Sequence, residues 1–559
     1  MNHLTERKKE YYALFLTGCL MGVLCFIAVY GVKILNPGYD AWLLKGDLDL
    51  MQHYIGFGHY RNSSWTFPIG LISTLSKPYP MSVIYTDSIP LIAVFFKILS
   101  PLLPETFQYF GLYGCLSFAL QGGCAMLLLH RVIKNRWFAV LASFFFILSF
   151  PILQRLYYHT ALASHWLILL ALIMWLYQDR DAATVKKCLQ WGLLGFLCVS
   201  IHSYFLPMAG AIMLFAVIEQ VIAAKKMSGK AGHALFEGAL EILSFCVCGI
   251  LNLWILGGFY GGASAIGGGI GTFESNLNTF YNPMGEGITG ISFPLYNDFQ
   301  YEGFGYLGLG MLMLTAAVLI GAVGILIIKR KECKWSVYLK THHRQVLLSL
   351  LFLLFIVLAC GPIYTWNDHR IFAVPLPGVI GRVADIFRSN GRMIWVSVYV
   401  LMLAVFVLID RMVRRPVQVV ALLLALLVQI IDLSGAIMDK QAYFNREQVY
   451  ADPWDQGELQ QIIAGKTEFI LMKSQTMMMM QSAYHAFKHH MSINQFYYAR
   501  NIDDKIEEQT EQYRQELLEG QARPAAVYVF EKEGFDGSAY PDLIVYEYGD
   551  HMIAVRKQK

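Results

Sequence analysis

The sequence predicts a mainly α-helical, polytopic membrane protein with a small α/β domain at its C-terminus. Of its 559 residues, 56% are hydrophobic and 15% are charged, whereas soluble proteins average about 25% charged residues. The apolar residues lie in blocks, and about 20 of them suffice to cross a bilayer. Residues 440–559 differ, with 13 basic and 18 acidic side chains against 31 and 22 in residues 1–439. This composition excludes a wholly soluble enzyme and a disordered chain.

Eleven apolar segments are predicted to cross the membrane, with interfacial helices between them. The first follows a basic run and lacks a small-residue cleavage site, so we expect a retained anchor. A further stretch, 89–103, is short, contains Lys97 and is bounded by prolines, and we expect it to lie in the interface. The predicted spans are 11–35, 107–130, 137–153, 161–177, 189–205, 206–224, 236–259, 305–328, 346–363, 393–410 and 417–433.

The distribution of basic residues predicts the orientation. With 89–103 in the interface, 21 of the 31 basic residues of 1–439 fall in loops on one side, which the positive-inside rule makes cytoplasmic. The N-terminus is then cytoplasmic, and the loops 36–106, 260–303 and 364–392 lie outside. We therefore expect a transmembrane domain, 1–435, and an extracytoplasmic soluble domain, 436–559. The external domain contains no cysteine, which fits the outer side of a bacterial plasma membrane, where disulfides are not relied on.

The tail has its own secondary-structure pattern. A highly charged helix is predicted over 503–519, and β-rich runs predict strands at 525–530, 543–548 and 551–555. These elements indicate a small α/β domain.

Acidic and basic side chains cluster in the first external loop. This loop contains Asp47, Asp49, His53, Arg61 and Asp87. An ionised Asp can act as a general base towards a hydroxyl. Alternatively these groups are solvated loop carboxylates, with Asp47 capping a helix that begins near Leu48.

Three further clusters fall on the predicted outer face. Arg388 and Arg392 are four apart, so we expect them to share a helix face and to bind either a phosphate or anionic lipid headgroups. Glu302 is the last acidic group before a long apolar run. His159 and His165 are six apart, a spacing that favours interface hydrogen bonds over joint metal ligation.

Seven motifs, in this order, give the chain a family resemblance. They are GDLDLMQHY, RNSSWTFPIG, YTDSIPLIAVFFK, LLPETFQYFG, LQRLYYHTALASHW, QYEGFGYLGLG and IFRSNGRMIW. Together they cover most of residues 36–395 and resemble the GT-C superfamily of polytopic glycosyltransferases, in particular a group of bacterial GT-C-like proteins. The resemblance does not extend into the tail.

The resemblance implies an enzyme that transfers a monosaccharide from a polyprenyl-phosphate donor to an external glycan, lipid or protein by inverting displacement. The acidic residue of the first loop, Asp47 or alternatively Asp49, would be the base. Arg388, Arg392 and Arg61 would hold the donor phosphate. Asp87, His53, Glu302, His159 and His165 are the further candidates for substrate binding.

Some GT-C enzymes use a divalent metal, and Asp47, Asp87 and Glu302 could ligate one, although no metal signature is present. Membrane lipids are expected partners, and nucleic acid is not. The alternative function is a transporter or flippase for a lipid-linked glycan. In that case Arg155 and His202, near the outer ends of spans, could line a path.

Overall fold

The computed structural model describes residues 2–177, 179, 182–229, 231–260, 270–329, 341–472, 474–500 and 502–557. Arg180, Lys230, most of the predicted basic run 329–344 and part of the loop 260–303 lie outside the described residues. The described helices before the tail are α1 (Asn2–Tyr30), α2 (Ala41–Leu44), α3 (Leu48–Asn62), α4 (Pro90–Ile98), α5 (Phe110–Val132), α6 (Arg136–Ile147), α7 (Phe150–Arg155), α8 (Trp166–Leu176), α9 (Thr184–Ile201), α10 (Phe205–Ser228), α11 (Ala231–Ile255), α12 (Leu309–Lys329), α13 (His343–Cys360), α14 (Gly378–Ile386), α15 (Ile394–Met412) and α16 (Arg415–Asn445).

Eight segments of the described chain are long and apolar enough to cross a membrane. They are Lys9–Tyr30, Phe110–Val132, Arg136–Arg155, Phe205–Met227, Ala231–Ile255, His343–Cys360, Asn390–Met412 and Arg415–Asn445. A count of about eleven is therefore not supported. The predicted span 161–177 corresponds to α8, a shorter apolar helix, and the predicted span 305–328 corresponds to α12. The span 189–205 corresponds to α9, whose first turn carries Lys186 and Lys187.

The basic turns between helices meet at one end of the helical bundle. Arg136 Nη2 lies 2.8 Å from Glu10 Oε1, and the Lys134 backbone N–H donates to Asp410 Oδ2 at 3.1 Å. These contacts agree with the prediction that the basic turns lie on the same side of the membrane domain.

Close packing of α1 against α5 depends on two glycines. A Cβ on Gly18 would lie 2.3 Å from the Gly122 carbonyl oxygen, and a Cβ on Gly122 would lie 2.1 Å from that of Gly18. Small residues at such positions let two helix backbones approach closely inside a membrane. This contact fixes the bundle on which the first loop is built.

The doubtful stretch 89–103 forms α4, which has nine residues. At about 1.5 Å per residue it is too short to cross a bilayer, as the sequence indicated. Phe95 and Ile98 are exposed while Lys97 is buried, with its Nζ 4.1 Å from the ring centroid of Tyr60. The helix therefore presents an apolar face outward, as an interfacial helix does.

The C-terminal domain is a small α/β unit around a five-stranded mixed sheet. The predicted helix 503–519 and the three predicted strands are confirmed within one or two residues at each end. Before the tail lie two hairpins, β1 (Leu71–Ile72) with β2 (Met81–Ser82) and β3 (Ile363–Trp366) with β4 (His369–Ala373). The described elements of the tail are α17 (Gly457–Ile463), β5 (Glu468–Leu471), α18 (Thr476–Lys488), β6 (Ser492–Ile493), α19 (Asp503–Leu518), β7 (Ala526–Glu531), β8 (Leu543–Tyr548) and β9 (His551–Arg556). The order of the strands in its sheet is β6-β5-β7-β9-β8.

This domain packs on the first loop, at the end of the bundle opposite the basic turns. His59 Nε2 lies 2.8 Å from the Ala483 carbonyl oxygen, and Asn62 Nδ2 donates to the Phe487 carbonyl oxygen at 2.7 Å. A Cβ on Gly58 would lie 2.6 Å from the Phe487 ring. The tail is therefore part of the surface that surrounds the first loop.

Candidate functional site

A cavity of about 620 Å³ opens where the first loop, several helix ends and the C-terminal domain meet. Its walls combine charged, histidine and aromatic side chains with apolar residues from the ends of α9, α10 and α11. The polar groups that line it include Asp49, Gln52, Asp87, His159, His202, Glu302, Arg388, Arg392, Tyr497 and Arg500.

The two aspartates at the start of α3 have different environments. Asp47 is the N-cap, and its Oδ1 accepts from the Leu48 backbone N–H at 2.6 Å, which was the structural alternative the sequence left open. Its side chain is exposed and does not line the cavity. Asp49 does line the cavity, where burial and the charges of Asp47 and Asp87 raise its pKa to about 6. Of the two predicted bases, Asp49 is the one placed among the other polar groups.

Histidines converge on Asp87, which precedes α4 in a left-handed backbone conformation. His202 Nε2 lies 3.5 Å from Asp87 Oδ1, and His159 Nδ1 lies 3.9 Å from Asp87 Oδ2. His159 Nε2 is 3.7 Å from Asp49 Oδ2. Burial lowers the pKa of His53 to about 4 and that of His159 to about 3, so both rings are neutral at pH 7.

Glu302 is the centre of a buried ion-pair network. Its Oε2 lies 3.0 Å from Arg155 Nη2 and 2.9 Å from Arg392 Nε, and all three side chains are at most 10% exposed. Burial alone would raise the pKa of Glu302, but Arg155 and Arg392 outweigh it and hold that pKa well below its usual range. The network fixes one wall of the cavity.

The expectation that Arg388 and Arg392 share a helix face is wrong. Helix α14 ends at Ile386, Arg388 lies in the following loop, and Arg392 lies in a 3₁₀ turn, Asn390–Met393. Both nevertheless line the cavity. Arg392 is engaged by Glu302, whereas the Arg388 guanidinium is half-buried, 5.5 Å from the ring centroid of Phe273.

Four of the predicted site residues do not line the cavity: Asp47, the buried His53, Arg61 and His165. Arg61 donates to Ser100 Oγ at 2.7 Å and to the carbonyl oxygens of Leu103 and Pro104, so it holds the turn after α4. His165 is buried, and its Nδ1 lies 2.8 Å from Tyr399 Oη. The interface hydrogen bond favoured for His165 is therefore present.

The sequence missed the contribution of the tail to this site. Tyr497 and Arg500 line the cavity, the Tyr497 hydroxyl lies close enough to Asp49 to lower the pKa of that carboxyl, and Gln52 Nε2 donates to the Tyr497 carbonyl oxygen at 2.7 Å. The sequence offered one indication of a site in the tail, the residues Tyr497, Tyr498 and Arg500 in an irregular segment. Nothing in the sequence indicates which loop such a segment contacts.

Two family matches cover most of the chain. The family described as "Domain of unknown function (DUF6311)" matches residues 19–434, and "DUF6311 C-terminal domain" matches residues 458–556. No curated protein matches the chain.

Proposed function

The chain belongs to the DUF6311 family, and we propose that it transfers a monosaccharide from a polyprenyl-phosphate donor to a cell-surface glycan, lipid or protein. The description of the family states no activity, so the proposal is argued from the geometry of the cavity. The observation that carries the proposal is that a carboxylate without a Lys or Arg partner in the described chain, Asp49, and a half-buried arginine, Arg388, line one cavity. A sugar phosphate presents groups suited to both, hydroxyls for the first and an anion for the second.

The lining of the cavity also suits an amphipathic donor. Aromatic rings from Tyr204, Phe273 and Tyr301 can pack against the apolar face of a sugar, while Leu206 and Leu253 continue the wall along membrane-spanning helices. A polyprenyl chain would lie against these helices, with its phosphate at the level of Arg388. Such a donor carries its own activation, so the transfer needs no nucleotide.

The reaction is a single displacement with inversion. Asp49 accepts the proton of the acceptor hydroxyl as its oxygen forms a bond to the anomeric carbon. The bond from that carbon to the phosphate oxygen breaks, and polyprenyl phosphate leaves. Arg388 balances the charge on the leaving phosphate. Glu302 forms ion pairs with Arg392 and Arg155, and this network fixes the neighbouring wall of the cavity.

The proposal includes an orientation in a bacterial plasma membrane. The end that carries the basic turns faces the cytoplasm, in line with the positive-inside rule, and the cavity and C-terminal domain face outward. The helices α8, α9 and α12 complete a membrane domain of about eleven spans in this arrangement. Alkaline phosphatase fused after residue 445 is then active, and the same enzyme fused after residue 229 is inactive.

Glycan analysis of cells tests the proposed function. Surface glycans are compared by mass spectrometry in cells that lack the chain and in cells that express the wild type, Asp49→Asn or Asp47→Asn. Asn caps a helix about as well as Asp, so Asp47→Asn is the matched control. We expect one sugar substituent to be lost without the chain and with Asp49→Asn, and retained with Asp47→Asn. A full complement of sugars with Asp49→Asn would contradict the proposal. Loss of an entire glycan from the surface, with its complete lipid-linked form retained inside, would instead favour a flippase.

A further inference from the structure

Three side chains from separate segments bring potential metal ligands together at the wall of the cavity. They are His53 of α3, Asp87 before α4 and His159 after α7, and one ligand atom of each lies within 4.8 Å of the others. Asp87 and His159 also line the cavity. The cluster thus has a buried side, at His53, and a side open to a ligand.

His53 is fully buried, and neither of its ring nitrogens has a hydrogen-bond partner. His159 Nδ1 is likewise buried without a partner. A buried polar atom left unsatisfied is destabilising, and native proteins satisfy almost all such atoms. The Phe110 ring is stacked with His53, with 6.3 Å between centroids, so the imidazole is held in place by apolar packing and its nitrogens remain available.

The charge around Asp87 points to a cation. Within the described part of the chain, no Lys or Arg lies within ion-pair distance of Asp87, and its near neighbours are His159 and His202. Arg155 and Arg392 are instead paired with Glu302. A carboxylate in such a position is stabilised by a bound cation.

We propose that His53, Asp87 and His159 bind one divalent transition-metal ion of the Zn²⁺ type. Neutral imidazole nitrogens and a carboxylate oxygen form a ligand set of this kind, and Mg²⁺ and Ca²⁺ prefer oxygen ligands alone. His202, beside Asp87, positions the ligating carboxylate. The fourth position faces the cavity, where it is accessible to a water or to a phosphate oxygen.

The inference does not depend on sugar transfer, because metal content is measured directly. Full-length chain carrying a tag without histidine is purified in detergent, incubated with Zn²⁺, freed of excess metal and analysed by mass spectrometry of the elements. We expect about one tightly held Zn²⁺ per wild-type chain and at least a fivefold loss in His53→Gln and in Asp87→Asn. Millimolar Mg²⁺ should not displace the ion.

The chain supplies its own control for surface binding of metal. Asp455, His485 and His489 form a second, more exposed cluster on the C-terminal domain, so His489→Gln removes a ligand there and should retain Zn²⁺. Added Zn²⁺ should raise the melting temperature of the wild type and of His489→Gln, but not that of folded Asp87→Asn. Absence of Zn²⁺ above buffer level in the wild type would overturn the proposal. So would Zn²⁺ that is lost with His489→Gln and kept with Asp87→Asn.

Discussion

Replacing Glu302 by Gln should destabilise the protein strongly, although the two side chains have nearly the same shape. The substitution removes the charge that faces Arg155 at 3.0 Å and Arg392 at 2.9 Å, and leaves two guanidinium groups buried without a counter-ion. Removing one partner of a buried ion pair costs about 3–5 kcal/mol. With an unfolding entropy of about 2.1 cal/mol/K per residue over 559 residues, this cost lowers the melting temperature by about 3–4 °C.

The buried cysteines provide the assay for this loss. Cys25, Cys124 and Cys198 are buried, so a thiol-reactive fluorophore reports unfolding of detergent-solubilised chain on heating. Glu286→Gln is the matched control, because Glu286 is exposed and surface charges contribute about 0–1 kcal/mol. If Glu302→Gln melted within 1 °C of Glu286→Gln, the network would not be a stabilising element of the cavity wall.

Two further substitutions test the donor site and the docking of the tail. Arg388→Ala should raise the KM for a lipid-linked sugar about 10–100-fold, because a charge-assisted hydrogen bond contributes about 1.5–3 kcal/mol. Arg382 is exposed, so Arg382→Ala should leave the KM unchanged. Equal KM values for the two variants in steady-state assays would remove Arg388 from the donor site. Gly58→Ala places a Cβ 2.6 Å from the Phe487 ring, an overpacking cost of about 1–3 kcal/mol. Limited proteolysis should release the C-terminal domain of Gly58→Ala several-fold faster than that of Gly435→Ala, because a Cβ at Gly435 meets open space. Equal rates of release would contradict the packing of the C-terminal domain on the first loop.

The sequence predicted the elements of this protein better than their arrangement. Hydropathy located a helix at each apolar segment, because each pattern is local. Eight of the eleven predicted spans correspond to helices that are long and apolar enough to cross a membrane, whereas α8 is shorter and α9 carries Lys186 and Lys187 in its first turn. The tail strands were found because their alternation is also local.

The site was predicted in part. Asp49, Asp87, His159, Glu302, Arg388 and Arg392 do line one cavity. Spacing could not decide between Asp47 and Asp49, because the choice depends on which of them caps α3. Tyr497 was missed because its contact with Asp49 joins residues 448 positions apart. Arg61 and His165 were predicted from residue type, but their side chains form structural hydrogen bonds, with Ser100 and with Tyr399, and do not line the cavity.

Transfer by the purified chain tests the central proposal most directly. Synthetic polyprenyl-phosphate hexoses are supplied as donors, envelope from cells that lack the chain serves as acceptor, and release of polyprenyl phosphate is followed by mass spectrometry. The account predicts release with the wild type and with Asp47→Asn, and a rate about 10²–10⁴-fold lower with Asp49→Asn, the usual loss when a general base is removed. Release by Asp49→Asn at the wild-type rate would contradict it.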